Sequence, residues 1–253
     1  MILNIDHLKT EIHKDIAVMG EAAAEFTSKA LNAAIEKNGQ ANLILATGAS
    51  QFSFLDALKA KDIDWQKVIV FHLDEYLGLT DSHPASFRKY LKERILDEVK
   101  PKQVFLLNGD AENIEAEMER YEIELKKRDI DVACIGIGEN GHIAFNDPPV
   151  ADFNDPKLVK LVELDEPCRK QQLGEGWFPT FDEVPKMAIT LTIPAIMRSK
   201  TISCVVPDER KAEAVKNALY GEISTTCPAS ILRTHENTKL FLDRASASKI
   251  NLT

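Results

Sequence analysis

A chain of 253 residues, 44% of them hydrophobic, can bury a sizeable core and is read most economically as one α/β domain spanning 1–253. Its formal net charge of -9, with no Lys/Arg block, argues against a nucleic-acid footprint, so an anionic ligand needs a dedicated pocket. No run approaches the roughly 18 apolar residues of a membrane span. Cys134, Cys168, Cys204 and Cys227 show no CxxC spacing, and Met1-Ile-Leu-Asn-Ile-Asp6 lacks a basic stretch leading into a long apolar core. The expectation is reduced thiols in a cytoplasmic protein. The histidines are scattered, with no HExxH or Cys/His cluster, so a structural metal site is not expected; no cofactor is expected either.

After a short initial segment, Asp15 to Lys37 carries apolar residues at helical spacing and is closed by Asn38-Gly39. Ala41 to Ala46 reads as a strand, followed by the small-residue turn Thr47-Gly48-Ala49-Ser50 and a helix from Gln51 to Lys59. Strand, small turn and helix start aim backbone N–H groups at an anion, although Thr and Ser are also ordinary helix caps. Lys67 to His72 is the next strand and runs into Asp74-Glu75. Neighbours on an extended chain point to opposite sides, so at most one of these two acids can face a given pocket while the other caps or pairs. A helix from His83-Pro84-Ala85-Ser86 to about Leu96, a strand from Gln103 to Leu107 and a helix from Ala111 to Arg128 follow.

The apolar run Asp131 to Ile135 then empties into Gly136-Ile-Gly-Glu-Asn-Gly-His-Ile-Ala-Phe-Asn-Asp-Pro148. In a parallel sheet such a strand end lies at the ligand crevice, and it delivers Asn140, His142 and Asp147 there. An imidazole with a carboxylate partner can move a proton near neutral pH; the ordinary alternative is a structural turn with a locally satisfied histidine. From about 149 to 184, Pro149, Pro156, Pro167 and Pro179 break the pattern, leaving only Leu158 to Leu164 as a strand within a lid-like insert. Met187 to Ile193, Thr201 to Val206 and Lys239 to Asp243 read as strands, and Pro194 starts a helical turn. Asp208 to Tyr220 reads as a helix carrying Lys211, and Ala229 to Arg233 as a short one. The alternation predicts a mostly parallel sheet with helices on both faces.

Five ordered pieces carry a resemblance: Leu45-Ala-Thr-Gly-Ala-Ser50, Phe71-His-Leu-Asp-Glu-Tyr-Leu-Gly78, His83-Pro-Ala-Ser86, Gly136 to Pro148, and Val184-Pro-Lys-Met-Ala-Ile-Thr-Leu191. With them the chain resembles the glucosamine-6-phosphate deaminase (isomerase) family over nearly its whole length. The resemblance implies a Rossmann-like α/β fold shared with 6-phosphogluconolactonases. The implied reaction takes glucosamine 6-phosphate and water to fructose 6-phosphate and ammonia without a metal. Carried over position by position, Asp74 would shuttle the proton between C2 and C1. His142, with Asp147 and Asn140, would serve pyranose opening. Thr47, Gly48, Ala49, Ser50 and Lys211 would hold the phosphate.

The chain also departs from the family pattern. Many relatives carry Asp in place of Asn140 and Glu in place of Asp147. Where relatives place a phosphate-reaching Arg followed by aromatics, this chain has Gly174-Glu-Gly-Trp-Phe178, with Arg169 and Lys170 as out-of-register cations. Hexameric relatives make a homo-oligomer one expectation. Some are activated by N-acetylglucosamine 6-phosphate at a Ser/Arg/Lys-rich segment, but here Pro149 to Lys160 carries Asp152 and Asp155. No such activation is expected, and the insert would act as a substrate lid around Trp177 and Phe178. Two other readings compete: a 6-phosphogluconolactonase-type hydrolase, whose turn usually continues toward a Ser-Leu-Phe-Pro-like segment, and a non-catalytic sugar-phosphate sensor.

Overall fold

The computed structural model describes residues 1–250. β1 (Ile2–Ile5) and β2 (Leu8–Ile12) form an antiparallel hairpin, to which the sequence reading assigns no element. Lys9 and Glu11 break up its apolar pattern, and the hairpin is ordered by docking β2 parallel to the last strand, Thr238–Leu242. α1 (Ile16–Asn38) starts where Asp15 accepts the Val18 N–H at 2.8 Å and stops at Gly39, whose φ of 75° suits glycine. Then come β3 (Ala41–Leu45), α2 (Phe52–Lys59), β4 (Val68–His72) and a short β5 (Asp74–Tyr76). The helix expected from residue 83 begins at Ser86, as α3 (Phe87–Leu91), a π turn and α4 (Asp97–Val99). β6 (Gln103–Phe105), α5 (Ile114–Lys126) and β7 (Val132–Ile135) follow.

The region read as irregular holds β8 (Val159–Glu163) and also α6 (Glu166–Gly174), with Pro167 tolerated in its first turn. β9 (Met187–Leu191), α7 (Ile193–Met197), β10 (Thr201–Val206), α8 (Ala212–Tyr220) and β11 (Thr238–Leu242) complete the order. No helix among the described residues is long and apolar enough to cross a membrane.

The main sheet runs β1-β2-β11-β10-β7-β3-β4-β6, and every neighbouring pair except β1 with β2 is parallel. Its central strands are mostly apolar and buried along their whole length because both faces are covered. Side-chain alternation divides them: Ile44, Ile69, Phe71, Ala133 and Ile135 pack with α5, α7 and α8. Leu43, Leu45, Val68, Val70, Val132 and Cys134 pack with α1, α2 and α3.

β5, β9 and β8 form a second, antiparallel sheet with its own aromatic core of Tyr76, Phe87, Phe145 and Phe178. From β3 the chain proceeds outward to β4 and β6, then returns to the other side of β3 with β7 and continues to β10 and β11. β3 and β7 therefore flank a topological switch point, where the carboxyl ends of parallel strands leave a crevice.

Candidate active site

A cavity opens at that switch point, with about 540 Å³ of free space when its solvent-filled mouth is included. The turn after β3 contributes Thr47, Gly48 and Ser50, β5 contributes Asp74, the turn after β7 contributes Gly136, Gly138 and His142, and the start of α8 contributes Lys211. Ala49 borders the adjoining hollow with Phe52 and Arg210 instead. Asn140 and Asp147 line no part of the cavity wall; they stand behind His142, with Asp147 fully buried.

The paired acids separate as an extended chain requires. Glu75, 0% exposed, accepts from the backbone N–H groups of Tyr76, Phe87 and Arg88, from Ser86 Oγ at 2.9 Å and from Arg88 Nε at 3.3 Å. It ties β5 to the start of α3. Asp74 faces the cavity from the opposite side. Burial first, then the charges of Glu75 and Asp147, push its carboxyl well above the ordinary value.

His142 Nδ1 lies 2.7 Å from Asp147 Oδ1, and the same oxygen accepts from Asn140 Nδ2 at 2.9 Å. Asn140 Oδ1 in turn accepts the His142 backbone N–H at 3.0 Å, so the amide bridges both members of the pair. Burial raises the Asp147 carboxyl, but His142, Asn140 and the Cys168 thiol together outweigh it and hold it below the ordinary value. Gly138 is required by close approach: a Cβ there would sit 2.1 Å from His142 Nε2. Asn146 anchors the turn by donating to Ile143 O at 2.9 Å and to Leu191 O of β9 at 2.8 Å.

At the other end, Gly48 takes a φ of 97° and its carbonyl accepts the Tyr90 hydroxyl at 2.8 Å. The helix start that follows leaves N–H groups without intrahelical acceptors. Lys211 is 4% exposed, and burial lowers its pKa from the ordinary value. Its neighbour Arg210 takes Asp208 at 3.1 Å and Glu139 at 3.6 Å, whereas Lys211 makes no ion pair among the described residues. A buried ammonium without a partner is costly unless an anion joins it.

The remaining wall is α6, which the sequence reading missed. Gln171, Gln172 and Glu175 line the cavity. Gln171 Oε1 accepts the Glu139 N–H at 2.9 Å and Gln172 Oε1 accepts the Tyr76 hydroxyl at 2.6 Å, while Cys168 lies against Asp147. Cys168, Gln171, Gln172 and Glu175 recur at i, i+3, i+4 and i+7, and Asp165 with Pro167 makes a capped helix start, the two signals that could have shown a helix here. Neither out-of-register cation reaches the cavity. Arg169 donates to Phe181 O and Val184 O at 2.8 Å each, and Lys170 pairs with Glu166 on the surface.

Residues 14–241 match the family described as glucosamine-6-phosphate isomerases/6-phosphogluconolactonase. A glucosamine-6-phosphate deaminase of Bacillus cereus is 35% identical over 228 residues, covering 90% of this chain and 85% of that protein. The solved structure of a monomeric glucosamine-6-phosphate deaminase superposes with a TM-score of 0.86 at 32% identity, covering 95% of this chain and 99% of that one. A 6-phosphogluconolactonase from Trypanosoma brucei shares the fold with a TM-score of 0.78 at 17% identity, covering 99% of this chain and all (100%) of that one. The chain therefore belongs to the glucosamine-6-phosphate isomerase/6-phosphogluconolactonase family.

Proposed function

We propose that the protein converts glucosamine 6-phosphate and water to fructose 6-phosphate and ammonia, an isomerisation coupled to deamination. The observation that carries this reading is the placement, on one cavity, of a carboxyl with raised proton affinity, an imidazole–carboxylate pair and an unpaired buried ammonium. Lys211 and the Thr47–Ser50 turn hold the phosphate, Ala49 contributing its backbone. His142, its ring oriented by Asp147 and Asn140, passes a proton between the C1 hydroxyl and the ring oxygen to open the pyranose. Asp74 then removes the C2 proton and returns it to C1, converting the aldose amine to a ketose imine, which water hydrolyses with release of ammonia. A base with raised proton affinity suits the abstraction from carbon. The segment 149–184 closes one side of the site through α6, whereas Trp177 and Phe178, expected at the centre of a lid, line no part of the cavity and pack against Tyr90 and Tyr76.

The test is a parallel assay of the purified protein for ammonia release from hexosamine 6-phosphates and for hydrolysis of 6-phosphogluconolactone. Ammonia release with glucosamine 6-phosphate is the expected result. Lactone hydrolysis without ammonia release would overturn the reading.

A further inference from the structure

Glu175 sets a negative charge at the Lys211 end of the cavity, where it acts on the charges of both Lys211 and Arg210. It caps the C-terminus of α6, where exposed carbonyls already carry partial negative charge. It is held by two neutral donors, Gln171 Nε2 at 3.0 Å and Trp177 Nε1 at 3.2 Å, and no cation pairs with it among the described residues. It also borders the anion-binding turn itself: a Cβ built on Gly48 would lie 3.7 Å from Glu175 Oε2. Glu175 and Lys211 line the same cavity and the same adjoining hollow. An acidic side chain with two fixed hydrogen bonds, beside a buried unpaired ammonium, leaves an incoming phosphate to meet like charge.

We infer that Glu175 is a specificity-determining residue whose carboxylate acts as an internal anion in the empty subsite and must yield when a phosphate monoester enters. The identity of that phosphate rests on the deaminase reading above; the competition between the two anions does not. The charge at position 175 thereby sets the affinity of the subsite, and its two hydrogen bonds couple phosphate entry to Trp177.

Isothermal calorimetric titration of inorganic phosphate into the full chain and its variants tests this directly, and in the unaltered chain tryptophan emission follows the same event, because Trp177 loses its acceptor when Glu175 moves. Glu175→Gln should tighten phosphate binding by about five- to tenfold at low ionic strength, with a smaller gain in high salt. Glu175→Ala should tighten it as well, whereas a role as a hydrogen-bonding strut alone predicts that Ala weakens it and Gln does not change it. In turnover, KM for glucosamine 6-phosphate should fall in Glu175→Gln. Unchanged or weaker phosphate binding in both variants overturns the inference even if ammonia is released normally. Tighter phosphate binding without any ammonia release would overturn the deaminase reading and leave this one standing.

Discussion

Two buried carboxylates serve the same cavity, Asp74 from its wall and Asp147 from behind His142, and their surroundings push them in opposite directions. Asp74, at the start of β5, has burial and two acidic neighbours against its ionised form. Asp147, at the end of the turn after β7, is buried as well, yet His142, Asn140 and Cys168 hold it ionised. Environments that drive similar groups apart divide the labour: one carboxyl is kept eager for a proton, the other kept charged to orient an imidazole. Burial alone therefore does not decide a carboxylate's role; the partners supplied by the next element do.

The sharpest break of this contrast is Asp74→Asn. The amide cannot accept the C2 proton, so turnover should fall ~10²-fold or more, and solvent deuterium should no longer enter substrate at C2. The same change should raise thermal stability at neutral pH. An acid whose folded pKa lies above its unfolded value near 3.8 costs stability progressively as pH rises through that interval, and the amide removes the cost. A calorimetric melt at pH 7 that is lower than wild type, or deuterium exchange at the wild-type rate, would remove Asp74 from the role. The pH profile supplies a second check: the acid limb of kcat/KM should stand above the usual carboxylate range.

Asp147→Asn should do the reverse to stability. A folded pKa below the ordinary value of 3.8 contributes stability that is present above that value and is lost as pH falls through the folded one. The variant should melt lower at pH 7, and its deficit should shrink in acid. Turnover should drop about tenfold or more, because the amide offers His142 a donor where it had an acceptor and disturbs the ring's orientation. Deuterium exchange from substrate that is already open-chain should suffer less than overall turnover; equal losses would tie Asp147 to the carbon proton instead of ring opening.

How much of this contrast is legible without coordinates depends on which element carries each residue. The strands β3, β4, β7 and β10 are mostly apolar runs, interrupted only by Asn42, His72, Thr201 and Ser203, and the turns that follow β3 and β7 announce themselves through glycine and short polar residues. The separation of Asp74 from Glu75 also follows from the geometry of an extended chain. That Asp74-Glu75-Tyr76 is itself a strand does not, since two acids disfavour a strand locally and its partner β9 lies more than 100 residues onward. α6 is hidden by Pro167, which reads as a break although it sits in the first turn, and by polar residues on the face turned inward, because that face packs against a site and not against the apolar core. Glu175 is invisible for the same reason: its meaning comes from the Gly48 turn and Lys211, which only the fold brings beside it.

Lys211→Ala moves to the end of the cavity that neither carboxylate touches. A charge on the non-reacting phosphate stabilises ground and transition states alike, so KM should rise about tenfold or more while kcat changes little. Unchanged KM would mean that the buried ammonium is not the phosphate's partner. Activity should meanwhile withstand chelators, since the proposed proton transfers use Asp74 and His142; loss of turnover restored by a divalent metal would call for a different mechanism.

The smallest expected effect is none, and it concerns activation by N-acetylglucosamine 6-phosphate. An activator can shift a conformational equilibrium only by binding one state better than another, and a phosphate ligand needs cations or N–H donors free to receive it. In the stretch after the catalytic turn, Lys160 is already engaged, 3.1 Å from Asp155 Oδ2 and donating to Val150 O at 2.7 Å. Asp155 Oδ1 also takes the Lys157 backbone N–H at 3.0 Å, and Asp152 the Asn154 N–H at 2.8 Å, so these acids fix the local turns and leave their charge in place. An incoming phosphate would have to break the Lys160 pair while facing both carboxylates. Initial rates across substrate concentrations should therefore be hyperbolic and superimposable with and without the acetylated sugar phosphate, apart from simple competition at the active site. A sigmoidal curve made hyperbolic by that compound would show an allosteric anion site and overturn this reading of the segment.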